Sequence, residues 1–270
     1  MKTRLISAAI LIPILLIVIW VLPKAVGMIV LGLLAAIAAY ELLNSTGLVR
    51  HLRLQIYTMM AAFMVCLWSY LGRDHAVGML GLMVFVCILF AEMMNNRVKV
   101  RVEKIGICLF AGIIIPYFFS ALVRILATYM GRYTIVIPFI LAFIPDSGAY
   151  FAGHYFGRHK LAPVVSPNKT VEGAIGGAIT AILGMLLYAV IMDFAFNRTV
   201  SYGLALLYGV AGAAADIFGD LIFSVIKRQT GMKDYGNLIP GHGGVMDRFE
   251  SMITVAPVVE ILLILLPVVV

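Results

Sequence analysis

The chain has 270 residues, 63% of them hydrophobic and 12% charged, with a formal net charge of +7. Soluble domains carry roughly 45–50% apolar and about 25% charged residues, so a soluble globular fold is excluded. The apolar runs are continuous and do not alternate, which excludes an outer-membrane barrel. What remains is an all-α polytopic membrane bundle. Its basic excess fits Lys and Arg in cytoplasmic loops and an attraction for anionic membrane lipid, and no nucleic-acid partner is expected.

In chain order, the N-terminus MKTRLISAAILIPILLIVIW places basic residues before an apolar run, as a signal peptide does. The run spans roughly 18 residues and no A-x-A-like site follows it, so it is expected to stay as a first helix. Apolar segments predict about nine transmembrane helices, near 5–22, 25–43, 55–71, 76–94, 105–123, 133–151, 171–192, 202–226 and 251–270. A spanning helix needs about 20 such residues. Cys66, Cys87 and Cys108 lie within these runs without metal-ligand spacing and read as small buried hydrophobes. The connection Asn95–Lys104 reads as a plain basic loop, or as an interfacial segment touching anionic lipid. No repeat or soluble insertion is visible. A single integral membrane domain, 1–270, is expected, with N-terminal helices over 1–130 and the chemistry over 131–270.

With the N-terminus placed inside, 15 of the 20 Lys and Arg residues fall in inside segments. That bias predicts a cytoplasmic N-terminus and an outer C-terminus. The two polar loops, 152–170 and 227–250, then face the cytoplasm.

Acids at membrane depth are costly and mark function. Asp146 lies in the sixth predicted span; Asp216 and Asp220 lie four apart in the eighth, on one helix face. Two carboxylates on one face repel unless a cation separates them. Three readings follow: a structural ion pair with Lys227 or Arg228, an ion path in a transporter, or a metal site. A Mg²⁺ ion, which takes carboxylate, water and phosphate oxygens, satisfies the last. Gly209, Gly212 and Gly219 on this helix read as close-packing positions. Glu41 and Glu92 sit near helix ends, where snorkelling makes an acid cheap, and Glu260 lies between Pro257 and Pro267. None of the three receives a role.

In the first loop Pro163 and Pro167 stop helix formation, and Ser166, Asn168, Lys169 and Thr170 offer donors before the next helix. Asn168 or Thr170 is a candidate cap. A helix start beside a lysine can receive an anion. The second loop offers Lys227, Arg228, Lys233, His242 and Arg248 as cations and donors, and Asp234 and Asp247 as carboxylates. Gly241, Gly243 and Gly244 let backbone amides approach a phosphate. Phosphoryl-type transfer needs this mixture of metal ligands and cations.

These residues resemble the phosphatidate cytidylyltransferase, or CDP-diacylglycerol synthase, family. Its signature runs S-x-aliphatic-K-R-x4-K-D-x-small-x2-aliphatic-(P/G)-x-H-G-G-aliphatic-x-D-R-x-D. Ser224, Ile226, Lys227, Arg228, Lys233, Asp234, Gly236, Ile239, Pro240, His242, Gly243, Gly244, Val245, Asp247 and Arg248 fit it, and Glu250 replaces the final Asp. The region of Asp146, Ser166-Pro167, Lys169-Thr170 and Glu172-Gly173 is similar to a second recurrent stretch of the family. The strong resemblance covers 146–250. It implies a reaction of CTP with phosphatidate to CDP-diacylglycerol and pyrophosphate, in phospholipid biosynthesis, with Mg²⁺ and room for a second metal ion. It also implies Asp220 and Asp247 as metal ligands with Asp216 and Asp146 beside them. Lys227, Arg228 and His242 become catalytic candidates, and Ser166, Lys169, Lys233, Asp234, Gly243, Gly244 and Arg248 become substrate-binding candidates. Phosphatidate would enter sideways from the inner leaflet of the cell membrane.

Two rivals remain from the residues. Gly212-x3-Asp216-x3-Asp220 also fits the tail of the CDP-alcohol phosphotransferase motif, but the upstream D-G-x2-A-R of that family is absent. A transporter with a carboxylate ion path would be expected to carry paired repeats, which the chain lacks. Acyl-chain preference, CTP against dCTP, and homodimerisation stay open at this level.

Overall fold

The computed structural model describes residues 13–14, 17–72, 75–95, 100–239, 241 and 243–269. Most of the first predicted helix, the centre of the Asn95–Lys104 connection, Pro240 and His242 lie outside them. The described residues form an all-α membrane protein in which seven helices are long and apolar enough to cross a bilayer. They group into two compact units, Met1–Thr128 with Gln229–Phe249, and Tyr129–Arg228 with Glu250–Val270.

In the first unit, α1 (Lys24–Ser45) starts directly after Pro23, whose fixed φ suits a helix entry. It stops at Gly47, which takes φ +67. α2 (Leu52–Leu71), α3 (His75–Met94) and α4 (Val102–Ala127) follow. α4 carries a π-helical stretch at Phe110–Ile114 just before Pro116. α1 buries a run of small residues, Ala35, Ala36, Ala38 and Ala39, and packs on α2. A side chain at Gly32 would stand 2.9 Å from Phe63. Without a hydrophobic drive between helices in lipid, such small residues let backbones approach. Cys66 and Cys108 are buried as expected; Cys87 is exposed, because α3 turns most of its apolar residues outward.

The second unit contains α5 (Gly131–Phe156), α6 (Val171–Phe196), α7 (Tyr202–Gln229) and α9 (Met252–Leu265). The short helix α8 (Val245–Phe249) belongs to the first unit. α5 and α6 meet along a glycine seam. A Cβ at Gly176 would collide with Ala152, and one at Gly173 would lie 3.0 Å from the Ala149 carbonyl. Thr170 caps α6 by accepting the Gly173 amide at 3.0 Å, as one of the two candidate caps predicts. Asn197 ends it in the left-handed conformation at φ 49. Gly209 and Gly212 serve as close-packing positions: a Cβ there would stand 2.7 Å from Ile182 Cα and 2.6 Å from Leu141.

Two expectations change. The stretch 152–170 is not all loop. α5 continues to Phe156, and β1 (Lys160–Ala162) pairs antiparallel with β2 (Ser166–Thr170), Lys160 opposite Thr170 and Ala162 opposite Ser166. The two prolines that stop a helix are compatible with a hairpin's turn and edge. The last predicted span is a 14-residue helix, about 21 Å long against roughly 30 Å of hydrocarbon. Pro267 follows its end, and the chain turns back so that Ser201 donates to the Val268 carbonyl at 3.1 Å.

Candidate active site

The second unit holds the acids predicted for a metal. α7 has 28 residues, about 42 Å, which exceeds the hydrocarbon thickness. Asp216 and Asp220 lie about 21 and 27 Å from its start, and Lys227 and Arg228 stand in its last turn. Asp216 is 4% exposed, and its Oδ1 has no hydrogen-bond partner among the described residues. Ser251 bonds the Asp216 carboxylate, and Asp146, Asp220 and Lys169 lie within electrostatic reach of it. Lys169, presented by β2, donates to Asp220 Oδ2 at 2.7 Å. Each of those two side chains is about a quarter exposed. Asp146 stands on an exposed part of α5, directly after Pro145.

The cations weighed as ion-pair partners of the aspartates are engaged elsewhere. Lys227 pairs with Glu250 at 2.5 Å, with side chains 15% and 7% exposed. Arg228 donates from Nε to the Val165 carbonyl at 3.2 Å, tying α7 to the hairpin. Lys169 therefore neutralises Asp220, and Lys227 is matched by the glutamate that departs from the family signature. Gly219 lies behind this arrangement. A Cβ there would stand 2.9 Å from Ser251 Cα and would collide with Thr254, whose hydroxyl donates to the Ala215 carbonyl at 2.7 Å. The hairpin is anchored by Glu172, which accepts the amides of Arg158 and His159 at 3.1 and 3.2 Å and meets His159 Nδ1 at 2.6 Å. Ser166 opens β2 and is half-buried.

Asp216 with an orphan buried oxygen, two further carboxylates and one lysine is a donor set suited to a hard divalent cation. Among the described residues, no group of three or more His, Cys, Asp or Glu stands at spacing that by itself would hold a metal ion. Mg²⁺ characteristically keeps water and substrate phosphate oxygens in its shell, so an open carboxylate cluster fits it.

The first unit holds most of the second loop. Lys233, Asp234, Asn237, Ile239, Gly241, Gly243 and Arg248 line a cavity of about 460 Å³, within the usual size of a small-molecule site. Two cations face one carboxylate there, which favours an anionic ligand. Gly241 and Gly243 take φ +77 and +82, conformations that suit glycine. Asp247 Oδ2 accepts the amides of Tyr235 and Gly244 at 2.8 and 2.9 Å. The predicted metal ligand Asp247 thus also folds the loop. His242 lies outside the described residues.

Sequence reasoning missed Glu41. It does not snorkel: it is 6% exposed, and its Oε2 accepts the Met246 amide at 2.8 Å. The signal was an acid four residues before a Ser-Thr-Gly helix end, which a single sequence cannot connect to a segment 205 positions away. Glu260, also without a role, is half-buried on α9.

Residues 2–266 match the profile of the cytidylyltransferase family. The chain belongs to that family. A phosphatidate cytidylyltransferase of Staphylococcus haemolyticus is 33% identical over 239 residues, covering 86% of this chain and 87% of its own. One from Staphylococcus epidermidis is 34% identical over 240 residues, with 86% and 87% covered. A phosphatidate cytidylyltransferase of Staphylococcus aureus strain COL is 42% identical over 134 residues, so the match spans about half the length of that relative and of this chain. Members of this family generally use a divalent metal.

Proposed function

We propose that this cytidylyltransferase-family protein is a phosphatidate cytidylyltransferase, joining CTP and phosphatidate to give CDP-diacylglycerol and pyrophosphate. A phosphate oxygen of phosphatidate attacks the α-phosphorus of CTP. The bond from that phosphorus to the oxygen bridging to the β-phosphate breaks, and pyrophosphate leaves with the electron pair. A phosphate dianion is already a nucleophile, so no general base is required. The observation that carries the reading is the buried, partnerless oxygen of Asp216 beside the Lys169–Asp220 pair, in a chain of this family.

Asp146, Asp216 and Asp220 in the second unit are the groups that would hold a divalent ion, taken as Mg²⁺ with a second ion open, and Asp247 is the candidate in the first. Such an ion would supply positive charge to offset the charge that develops on the phosphate groups. Lys169 orients Asp220 and supplies positive charge beside it. Lys227 and Arg228 supply positive charge at the end of α7, Lys227 from within its pair with Glu250. In the first unit Lys233 and Arg248 attract the triphosphate to the cavity, while Gly243 and Gly244 let the backbone come close. The positive-inside bias supports cytoplasmic loops, where CTP is found, and phosphatidate drawn from the inner leaflet. The transporter alternative has no feature of its own to set against the family match.

Purified protein in detergent is expected to release pyrophosphate only when CTP, phosphatidate and Mg²⁺ are all present, and to stop on chelation. Release without phosphatidate, or solute flux in liposomes without release, would refute the assignment.

A further inference from the structure

We infer that Glu41, on a helix far from the signature in sequence, is a positioning residue that sets the shape of the cavity-lining loop; this rests on the reaction proposed above. Four observations converge. The carboxylate is buried, and burying an acid is costly unless its oxygens find partners. It accepts the amide of Met246 at 2.8 Å, in the first turn of the helix α8 that carries Asp247 and Arg248. Two glycines of the loop are shaped to admit it. A Cβ at Gly236 would stand 2.5 Å from Glu41 Oε1, and one at Gly244 would collide with both carboxylate oxygens. One turn further along α1, the Ser45 hydroxyl donates to the carbonyl of Tyr235, a fully buried residue.

The loop is thus folded between two carboxylates. Asp247 closes it from within by taking the amides of Tyr235 and Gly244. Glu41 holds it from outside by taking that of Met246. Charge-assisted bonds to backbone amides are short and directional, so the pair fixes where Lys233, Gly243 and Arg248 stand around the cavity. Glu41 need touch no substrate to do this.

The test compares wild type, Glu41→Gln, Gly236→Ala and the double variant, each checked for folding, in the pyrophosphate-release assay with CTP varied. Glu41→Gln weakens the clamp from one side and Gly236→Ala crowds it from the other. Each is expected to raise the KM for CTP about tenfold, the loss of one charged hydrogen bond, and the double variant is expected to fall short of their product because they disturb one contact. Gln55→Ala, which removes a buried bond to the Val49 carbonyl within the same unit, is expected to lower thermal stability and leave KM unchanged. If Glu41→Gln and Gly236→Ala retain the wild-type KM, or if Gln55→Ala raises it equally, the positioning role is overturned while the reaction stands. If wild type itself releases no pyrophosphate, the functional reading fails first. Should Glu41→Gln not fold, Gly236→Ala alone decides by the same criterion.

Discussion

The two units spend their acidic residues differently. On and beside α7 in the second, the carboxylates answer charge: Asp220 takes Lys169, Glu250 takes Lys227, and Asp216 keeps an oxygen without a partner among the described residues. Around the glycine-rich loop of the first, they answer backbone: Glu41 and Asp247 between them accept amides of Tyr235, Gly244 and Met246. A rigid helix such as α7 needs no side chain to hold its amides, so its acids are available for ions and phosphates. A glycine-rich loop leaves its amides unpaired and must find acceptors. The same residue type is therefore chemical along α7 and architectural at the glycine-rich loop, and substitutions can separate the two uses.

The largest effect is expected at Glu250. Its carboxylate and the Lys227 ammonium are nearly buried, and removing one partner of such a pair strands the other charge at a cost of about 3–5 kcal/mol. Glu250→Ala should lower the thermal transition sharply, and the double variant with Lys227→Met should recover much of the loss. Stability unchanged in Glu250→Ala would mean that the pair is not held in solution. At Asp220 the expected loss is chemical. Asp220→Asn keeps the shape but removes the charge that Lys169 and a divalent ion share, and turnover should fall by about 100-fold or more with the fold intact. Full turnover in that variant would remove Asp220 from the metal site.

Asp247 tests the contrast directly, because both uses meet in one side chain. Asp247→Ala leaves the Tyr235 and Gly244 amides without their acceptor, at about 1–3 kcal/mol. Asp247→Asn retains a carbonyl oxygen that can receive them. If Asp247 only folds the loop, Asn should restore both stability and turnover. If it also binds metal, Asn restores stability alone.

Much of the second unit could be read from the sequence, because helix periodicity is local. The i, i+4 spacing of Asp216 and Asp220, the close-packing glycines of α7 and the Thr170 cap all follow from residues within a few positions of one another. What escaped depended on tertiary contacts. Lys227 lies seven residues past Asp220 and was weighed as its partner, yet Lys169 fills that place from a hairpin 51 positions earlier. Two prolines identified a break in helix but could not distinguish a loop from a paired turn. Glu41 looked like a cheap acid near a helix end because its amide and glycine contacts lie about 200 residues away. Seven of the predicted spans agree with the helices to within a few residues. The last is shorter than predicted, 14 residues that run through Pro257 and end before Pro267.

Thr170 carries the smallest expected effect and the most specific one. Its hydroxyl receives the Gly173 amide, and it is also the last residue of the strand that presents Lys169. Thr170→Ala should cost about 1 kcal/mol, the usual value of an N-cap, whereas Thr170→Ser should cost little because the hydroxyl is kept. If the cap matters only to α6, both variants should keep wild-type turnover once folded. If it fixes where the hairpin meets the helix, Thr170→Ala should also loosen the Lys169–Asp220 contact, and its turnover should fall while that of Thr170→Ser does not. The hairpin is held independently by Glu172, which takes the amides of Arg158 and His159. Two anchors at one junction make the first outcome the expected one, and a fall in turnover for the alanine variant would show that the Glu172 clasp alone cannot keep Lys169 on Asp220.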